Sequence, residues 1–294
     1  MTHRSWMFVP GGDETKLAKA ARFGADAVIV DLEDSVLPDN KQRARGLAAQ
    51  WLAAHGRQVV TGGGFARWVR INPLDTPLWR DDLAAVMTGR PDGIVVPKAT
   101  GPEQIQMLAV EVCEHESLNG LAIGAVQILP LVSETAAAAL AISRYADVAI
   151  PRLAGLTWGA EDLSAAIGAL RKRDGRAAWT DAFRWVRAQV LLTAHACEVM
   201  AVDTLYSDFR DLSGLERAAL DSYADGFTGM LAIHPDQVPV INAAFSPSTE
   251  ALARARAIVA AFAVNPGAGA LSLDGDMIDQ PHLTAARRLL ERGS

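Results

Sequence analysis

Cysteine is nearly missing from this chain: Cys113 and Cys197 are the only two in 294 residues. Two are too few for a disulfide framework, and they read as apolar core positions in a reducing compartment. No apolar run approaches the length of a membrane span. The segment from Met1 to Gly11 lacks the apolar stretch and cleavage site of a secretion signal, so a cytoplasmic location is the expectation. Positive charge is not in excess either. The formal net charge is −6, which argues against a general nucleic-acid partner, and any anionic ligand has to be held by local basic residues. Cys/His spacing of the zinc type is absent. Gly62-Gly63-Gly64 has no P-loop lysine after it and reads as a loop, while Gly11-Gly12 lacks the third glycine of a dinucleotide fingerprint.

What is present is a repeated pattern. Half the residues are apolar and 21% are charged, the balance of a soluble protein with ample core. Seven short apolar runs end on a polar or charged residue: Asp31, Arg70, Lys98, Glu134, Asp162, Asp203 and His234. These endings recur at intervals of about 28 to 41 residues, the length of one strand–helix unit. Helical spacing lies between the runs, as in Lys41–His55, which stops at Gly56, a candidate left-handed cap. Continuous rather than alternating apolar strands imply a parallel sheet covered on both faces. The count, with a first strand at Trp6–Val9, reaches eight. The expectation is a TIM (β/α)8 barrel over residues 1–245, with a C-terminal helical lid over 246–294. In such a barrel the strand ends converge on one rim, where the fold keeps its chemistry.

Glu134 and Asp162 are the candidate metal ligands. Mg²⁺ takes oxygen ligands and commonly binds one or two carboxylates, with water and substrate completing its shell. Mn²⁺ is the alternative ion. Each acid also stands where a helix begins, so an ordinary capping or dipole role competes, Asp162 as an N-cap above all. Arg70 offers a planar fork to a carboxylate or acyl oxygen, or a structural ion pair with Asp31, Glu33 and Asp34. That acidic cluster is assigned a supporting, substrate-side role. Lys98 divides evenly between substrate contact and pairing with a neighbouring acid. His234 reads as holding a loop, and Asp203 and Asp211 as serving caps and ion pairs.

Several motifs then resemble one family. Arg4-Ser5-Trp6-Met7-Phe8-Val9-Pro10-Gly11 opens the match, followed by Asp31-Leu32-Glu33-Asp34-Ser35-Val36 with Lys41 and Ala44-Arg45. Val69-Arg70-Ile71-Asn72-Pro73, Val96-Pro97-Lys98, Ser133-Glu134-Thr135 and Gly159-Ala160-Glu161-Asp162-Leu163 continue it. Gly226-Phe227-Thr228-Gly229, Ile233-His234-Pro235-Asp236-Gln237 and Gly275 through Asp279 complete it. In order, they resemble the citrate lyase beta-subunit-like proteins of the HpcH/HpaI aldolase superfamily.

The resemblance implies a Mg²⁺-dependent carbon–carbon lyase acting on a 3-hydroxyacyl thioester of coenzyme A or of an acyl carrier protein. Its products would be an acetyl thioester and a 2-oxo acid. It implies metal on Glu134 and Asp162, substrate on Arg70, and coenzyme phosphates near Arg4 and Lys19. It further implies that Asp279 acts as an acid–base group on a lid reaching a neighbouring subunit, in a homotrimer or a multiple of one. Met230 and Trp158 depart from the usual pattern and bear on the acyl pocket. Two other functions stay open: an aldolase of free 2-oxo acids without coenzyme A, and a non-catalytic CoA-binding barrel.

Overall fold

The computed structural model describes residues 3–56, 64–175 and 177–292; Gly62 and Gly63 lie outside them. Eight parallel strands form one sheet: β1 (Ser5–Pro10), β2 (Ala27–Asp31), β3 (Ala66–Arg70), β4 (Gly93–Val96), β5 (Gln127–Pro130), β6 (Gly155–Thr157), β7 (Met200–Asp203) and β8 (Gly229–Ala232). Their order is β5-β4-β3-β2-β1-β8-β7-β6. The two ends meet through bridges from Ile128 to Leu153 and from Leu131 to Thr157, which close the TIM barrel. Around it run α1 (Glu14–Ala20), α2 (Lys41–Ala54), α3 (Leu78–Met87), α4 (Pro102–Leu118), α5 (Ala136–Leu140), α6 (Ala160–Ala166), α7 (Asp181–Ala196), α8 (Leu212–Asp225) and α9 (Gln237–Ala244). Among the described residues no helix is long and apolar enough to cross a membrane.

Side chains alternate across each strand, and the two faces enter different cores. Trp6, Ala27, Ile29, Trp68, Val95, Leu129, Val202 and Leu231 fill the barrel interior. Met7, Val28, Val30, Val69, Ile94, Val96, Ile128 and Met230 face outward to the helices. Trp6 and Trp68 meet edge to face at 5.0 Å inside, a pairing that adds about 0.5–1.5 kcal/mol beyond burial. Met230 therefore lies among strand–helix contacts at the start of β8, where it registers with Ser5, and the expectation that it shapes an acyl pocket is corrected.

Local chemistry sets the helix ends. Asp13 accepts the amide of Lys16 at 3.0 Å to cap α1, and Asp211 accepts that of Gly214 at 2.9 Å to cap α8. Gly226 ends α8 with φ +108°, a conformation that suits glycine. Gly56 does not play that part: His55 caps α2, and Gly56 is not in the left-handed region. Helices α3 and α9 were not anticipated. The cysteines are free and half-buried, less enclosed than their apolar character implied.

After α9 come α10 (Thr249–Val264), β9 (Ala270–Leu273), β10 (Asp276–Asp279) and α11 (Gln280–Arg292). Within the expected helical lid, β9 and β10 form an antiparallel hairpin, Asp279 registering with Ala270. Ala255, Ile258, Phe262, Ile278, Leu283 and Ala286 form a cluster separate from both barrel cores.

Candidate active site

Six of the charged residues singled out in the sequence meet at the C-terminal rim, and strand alternation explains their convergence. Ala27 and Ile29 point inward, so Asp31, two further on, does too; Trp68 places Arg70 likewise. Arg70 Nε and Nη2 donate to the two oxygens of Asp31 at 2.7 and 2.8 Å. Its Nη1 lies 2.9 Å from Glu33 Oε2, and the guanidinium sits over the Phe8 ring at 4.8 Å. Burial opposes the charges, yet their pairing holds Asp31 below the usual carboxylate range and Arg70 above its own. Glu33 goes the other way: burial raises it despite Arg70 and Lys98. Asp34 is 61% exposed at the side chain and 3.8 Å from Lys98 Nζ.

Lys98 does not reach out toward open space. Its ammonium pairs with Glu33 Oε1, and its backbone amide donates to Glu134 Oε2. Glu134 follows β5 and stands just ahead of α5, whose cap is Thr135, so it neither caps nor joins the helix it was expected to begin. Its Oε1 is buried without a hydrogen-bond partner. Burial, and then the charge of Asp162, push the Glu134 carboxyl up to about 8.

Asp162 lies in the first turn of α6, whose N-cap is Gly159. The N-cap role that competed for Asp162 is thereby removed. A Cβ built on Gly159 would stand 3.1 Å from Glu134 Oε1 and 3.4 Å from Asp162 Oδ2. Both carboxylates therefore face one small space, and only glycine leaves it open. The Gly159 amide is held by Ser133 Oγ at 3.2 Å and that of Ala160 by Thr204 Oγ1 at 3.4 Å.

Two other expectations, for Arg4 and Lys19, need correction, whereas Asp203 and His234 take the ion-pairing and loop-holding parts expected of them. Arg4 precedes β1, at the opposite end of the barrel, where Nε and Nη2 grip Asp26 at 2.8 and 2.9 Å. An arginine already paired across the N-terminal strand ends is a structural clamp, not a coenzyme contact at the rim. Lys19 is exposed in the last turn of α1, a helix length from the capped end facing the rim. Asp279 belongs to the C-terminal unit, where His282 Nδ1 contacts it at 2.6 Å and holds its carboxyl below the ordinary range. Asp203 points outward to Trp158 Nε1 at 2.7 Å, Arg187 Nε at 2.9 Å and Ser222 Oγ at 2.7 Å. His234 stacks on Phe209 at 5.0 Å and meets the Asp236 amide at 3.3 Å.

A buried network beneath the rim was missed. Lys41 Nζ donates to the carbonyls of Leu32 and Glu33 and to Asn72 Oδ1, each at 2.7 Å. Asp82 accepts from Asn72 Nδ2 at 2.6 Å and from Arg45 Nε at 2.7 Å. Together they fix the loop that carries Glu33. The signal was present, since Lys41, Arg45 and Asn72 all lie in the motifs that carry the resemblance.

Comparison with known proteins agrees over nearly the whole chain. The profile described as HpcH/HpaI aldolase/citrate lyase matches residues 4–235. The mitochondrial citramalyl-CoA lyase of Rattus norvegicus is 32% identical over 299 residues, covering 98% of this chain and 85% of that one. A (3S)-malyl-CoA thioesterase of Cereibacter sphaeroides is 34% identical, covering 98% and 94%. The crystal structure of CitE from Mycobacterium tuberculosis with magnesium, acetoacetate and coenzyme A superposes with TM-score 0.78 at 33% identity, covering 99% and 98%.

Proposed function

The chain belongs to the HpcH/HpaI aldolase/citrate lyase family, an enzyme family, and from that premise we propose that it is a Mg²⁺-dependent lyase of a 3-hydroxyacyl-CoA. It cleaves a citramalyl-, malyl- or citryl-type thioester to acetyl-CoA and a 2-oxo acid. One observation carries this reading: two carboxylates from separate segments share the space beside Gly159, and Glu134 Oε1 is buried there with no partner. An unpaired buried acceptor is costly unless something meets it. Oxygen donors alone suit Mg²⁺. Held by Glu134 and Asp162, Mg²⁺ would supply Lewis-acid stabilisation worth several kcal/mol.

The chain's own residues do the rest. Arg70, oriented by Asp31 and Glu33, has further N–H donors with which to bind the oxygens of the oxo acid half as the carbon–carbon bond breaks. Asp279, on the C-terminal unit of a neighbouring subunit in a homotrimer or a multiple of one, takes the proton of the 3-hydroxyl as the carbon–carbon bond breaks and passes it to the carbon of the departing acetyl thioester enolate. In the reverse direction it removes one. The unit's separate cluster supports a lid that docks as a body.

The thioesterase relative favours a second reading, in which the same site hydrolyses the thioester. Citramalyl-, malyl- and citryl-CoA, each assayed with and without chelator, distinguish the two. Acetyl-CoA and oxo acid released in equal amounts, and abolished by chelator, are expected. Free coenzyme A with intact hydroxy acid would overturn the lyase reading.

A further inference from the structure

One residue touches both halves of the rim. Lys98 lies in the turn after β4 with φ +51°, a left-handed conformation that L side chains rarely adopt. The turn is held by Pro97 before it and by the Ala99 amide after it, which donates to the Leu131 carbonyl at 3.2 Å. In this conformation the Lys98 amide donates to Glu134 Oε2, and the ammonium meets Glu33 Oε1. Glu33 in turn lies against Arg70. The amide occupies one oxygen of Glu134 and leaves the other, Oε1, in the space shared with Asp162. Strained residues of this kind persist where the surroundings over-determine them, and they cluster at functional sites.

We propose that Lys98 is a positioning residue with two separable parts. Its left-handed backbone turn aims the amide so that Glu134 presents Oε1 to the cation. Its ammonium holds Glu33 against Arg70. The inference rests on the metal reading above, and the test separates the two.

Lys98→Gly and Lys98→Val both delete the ammonium, but only glycine accepts the positive φ without strain. Each folded variant is titrated with Mg²⁺ alone in a calorimeter, then assayed for kcat and KM. Lys98→Gly should bind Mg²⁺ within about 2-fold of the parent while its KM rises, because Arg70 has lost its brace. Lys98→Val should bind Mg²⁺ at least about 10-fold more weakly, the usual loss when support of a ligand is removed. If Lys98→Val does not fold, Lys98→Ala carries the comparison, since it too meets the cost of positive φ. Equal Mg²⁺ affinity in the glycine and alanine or valine variants would overturn the backbone part. An unchanged KM in Lys98→Gly would overturn the ammonium part. Glu134→Ala runs in parallel: parental Mg²⁺ affinity there would instead sink the metal reading itself.

Discussion

The two ends of the barrel use the same residue types to opposite purpose. At the N-terminal end each cation meets its own acid: Arg4 with Asp26, Arg67 with Asp92, and Arg152 with Glu116. Glu116 also accepts the amides of Gly124 and Val126 at 2.9 and 2.8 Å; burial raises its carboxyl, but the hydrogen bond from Arg152, and then these two amides, hold it below the usual range. At the C-terminal rim the four acids Asp31, Glu33, Glu134 and Asp162 gather around two cations, Arg70 and Lys98, which pair with Asp31 and Glu33. Charge is left over there, and one buried oxygen has no partner. Matched pairs close a structure, whereas a surplus of one sign makes a place for something of the other.

Glu134→Ala tests the rim most severely. It should abolish the Mg²⁺-dependent rate, a loss of about 10⁴-fold if the ion contributes several kcal/mol, and calorimetry should show no Mg²⁺ binding. Full activity in the presence of chelator would break the contrast between the two ends. The matching experiment at the other end is Arg152→Leu. It strands a buried glutamate and should lower unfolding free energy by about 3–5 kcal/mol in urea. The kcat of the folded fraction should not move, and a fall in it would mean that this end is not merely structural. Asp279→Asn should cut turnover by about 10²-fold, the lower range of acid–base contributions. It should leave Mg²⁺ affinity unchanged; loss of binding would make Asp279 a ligand.

The smallest effect is a slope. Folded Glu134 keeps its proton up to about pH 8, against an ordinary value of 4.5. Between those values the folded state binds more protons than the unfolded one, so without metal this group's contribution to stability falls as pH rises. The slope is at most about 1.4 kcal/mol per pH unit. Asp31, held low, acts in the reverse sense and loses its contribution only as pH falls below the ordinary carboxylate range. Urea midpoints taken from about pH 5 to about pH 8 should decline more in the parent than in Glu134→Gln, and Mg²⁺ should restore the parent at the alkaline end. Parallel profiles would show that Glu134 is not raised.

Much of this was legible because the barrel repeats itself. Runs ending at Asp31, Arg70, Lys98 and Glu134 announced strand ends, and strand ends are where the rim lies. Inward or outward direction was legible too, though it takes the period of two to see it: Asp31 and Arg70 share parity with Ile29 and Trp68, whereas Asp203 follows inward Val202 and so points to the helices. Arg4 misled because a motif gives order along the chain and not which end of a strand a residue occupies. The left-handed turn at Lys98 left no mark at all, since nothing local to Val-Pro-Lys requires it. It goes with the return of the Ala99 amide to the Leu131 carbonyl, just past β5. The helices α3 and α9 were hidden because they span only 10 and 8 residues, about two to three turns each, too few to repeat the helical period often.

The bridges that join β5 to β6 have a consequence for how the molecule opens. They are isolated bridges and not a continuous ladder, at Ile128 with Leu153 and Leu131 with Thr157, and Glu134 and Asp162 stand on the two sides of that gap. An ion gripped by both is a clasp across the seam. Parting the staves there would then mean surrendering the ion, so Mg²⁺ should slow amide exchange at Val132 and Ala154 more than on the far side of the barrel.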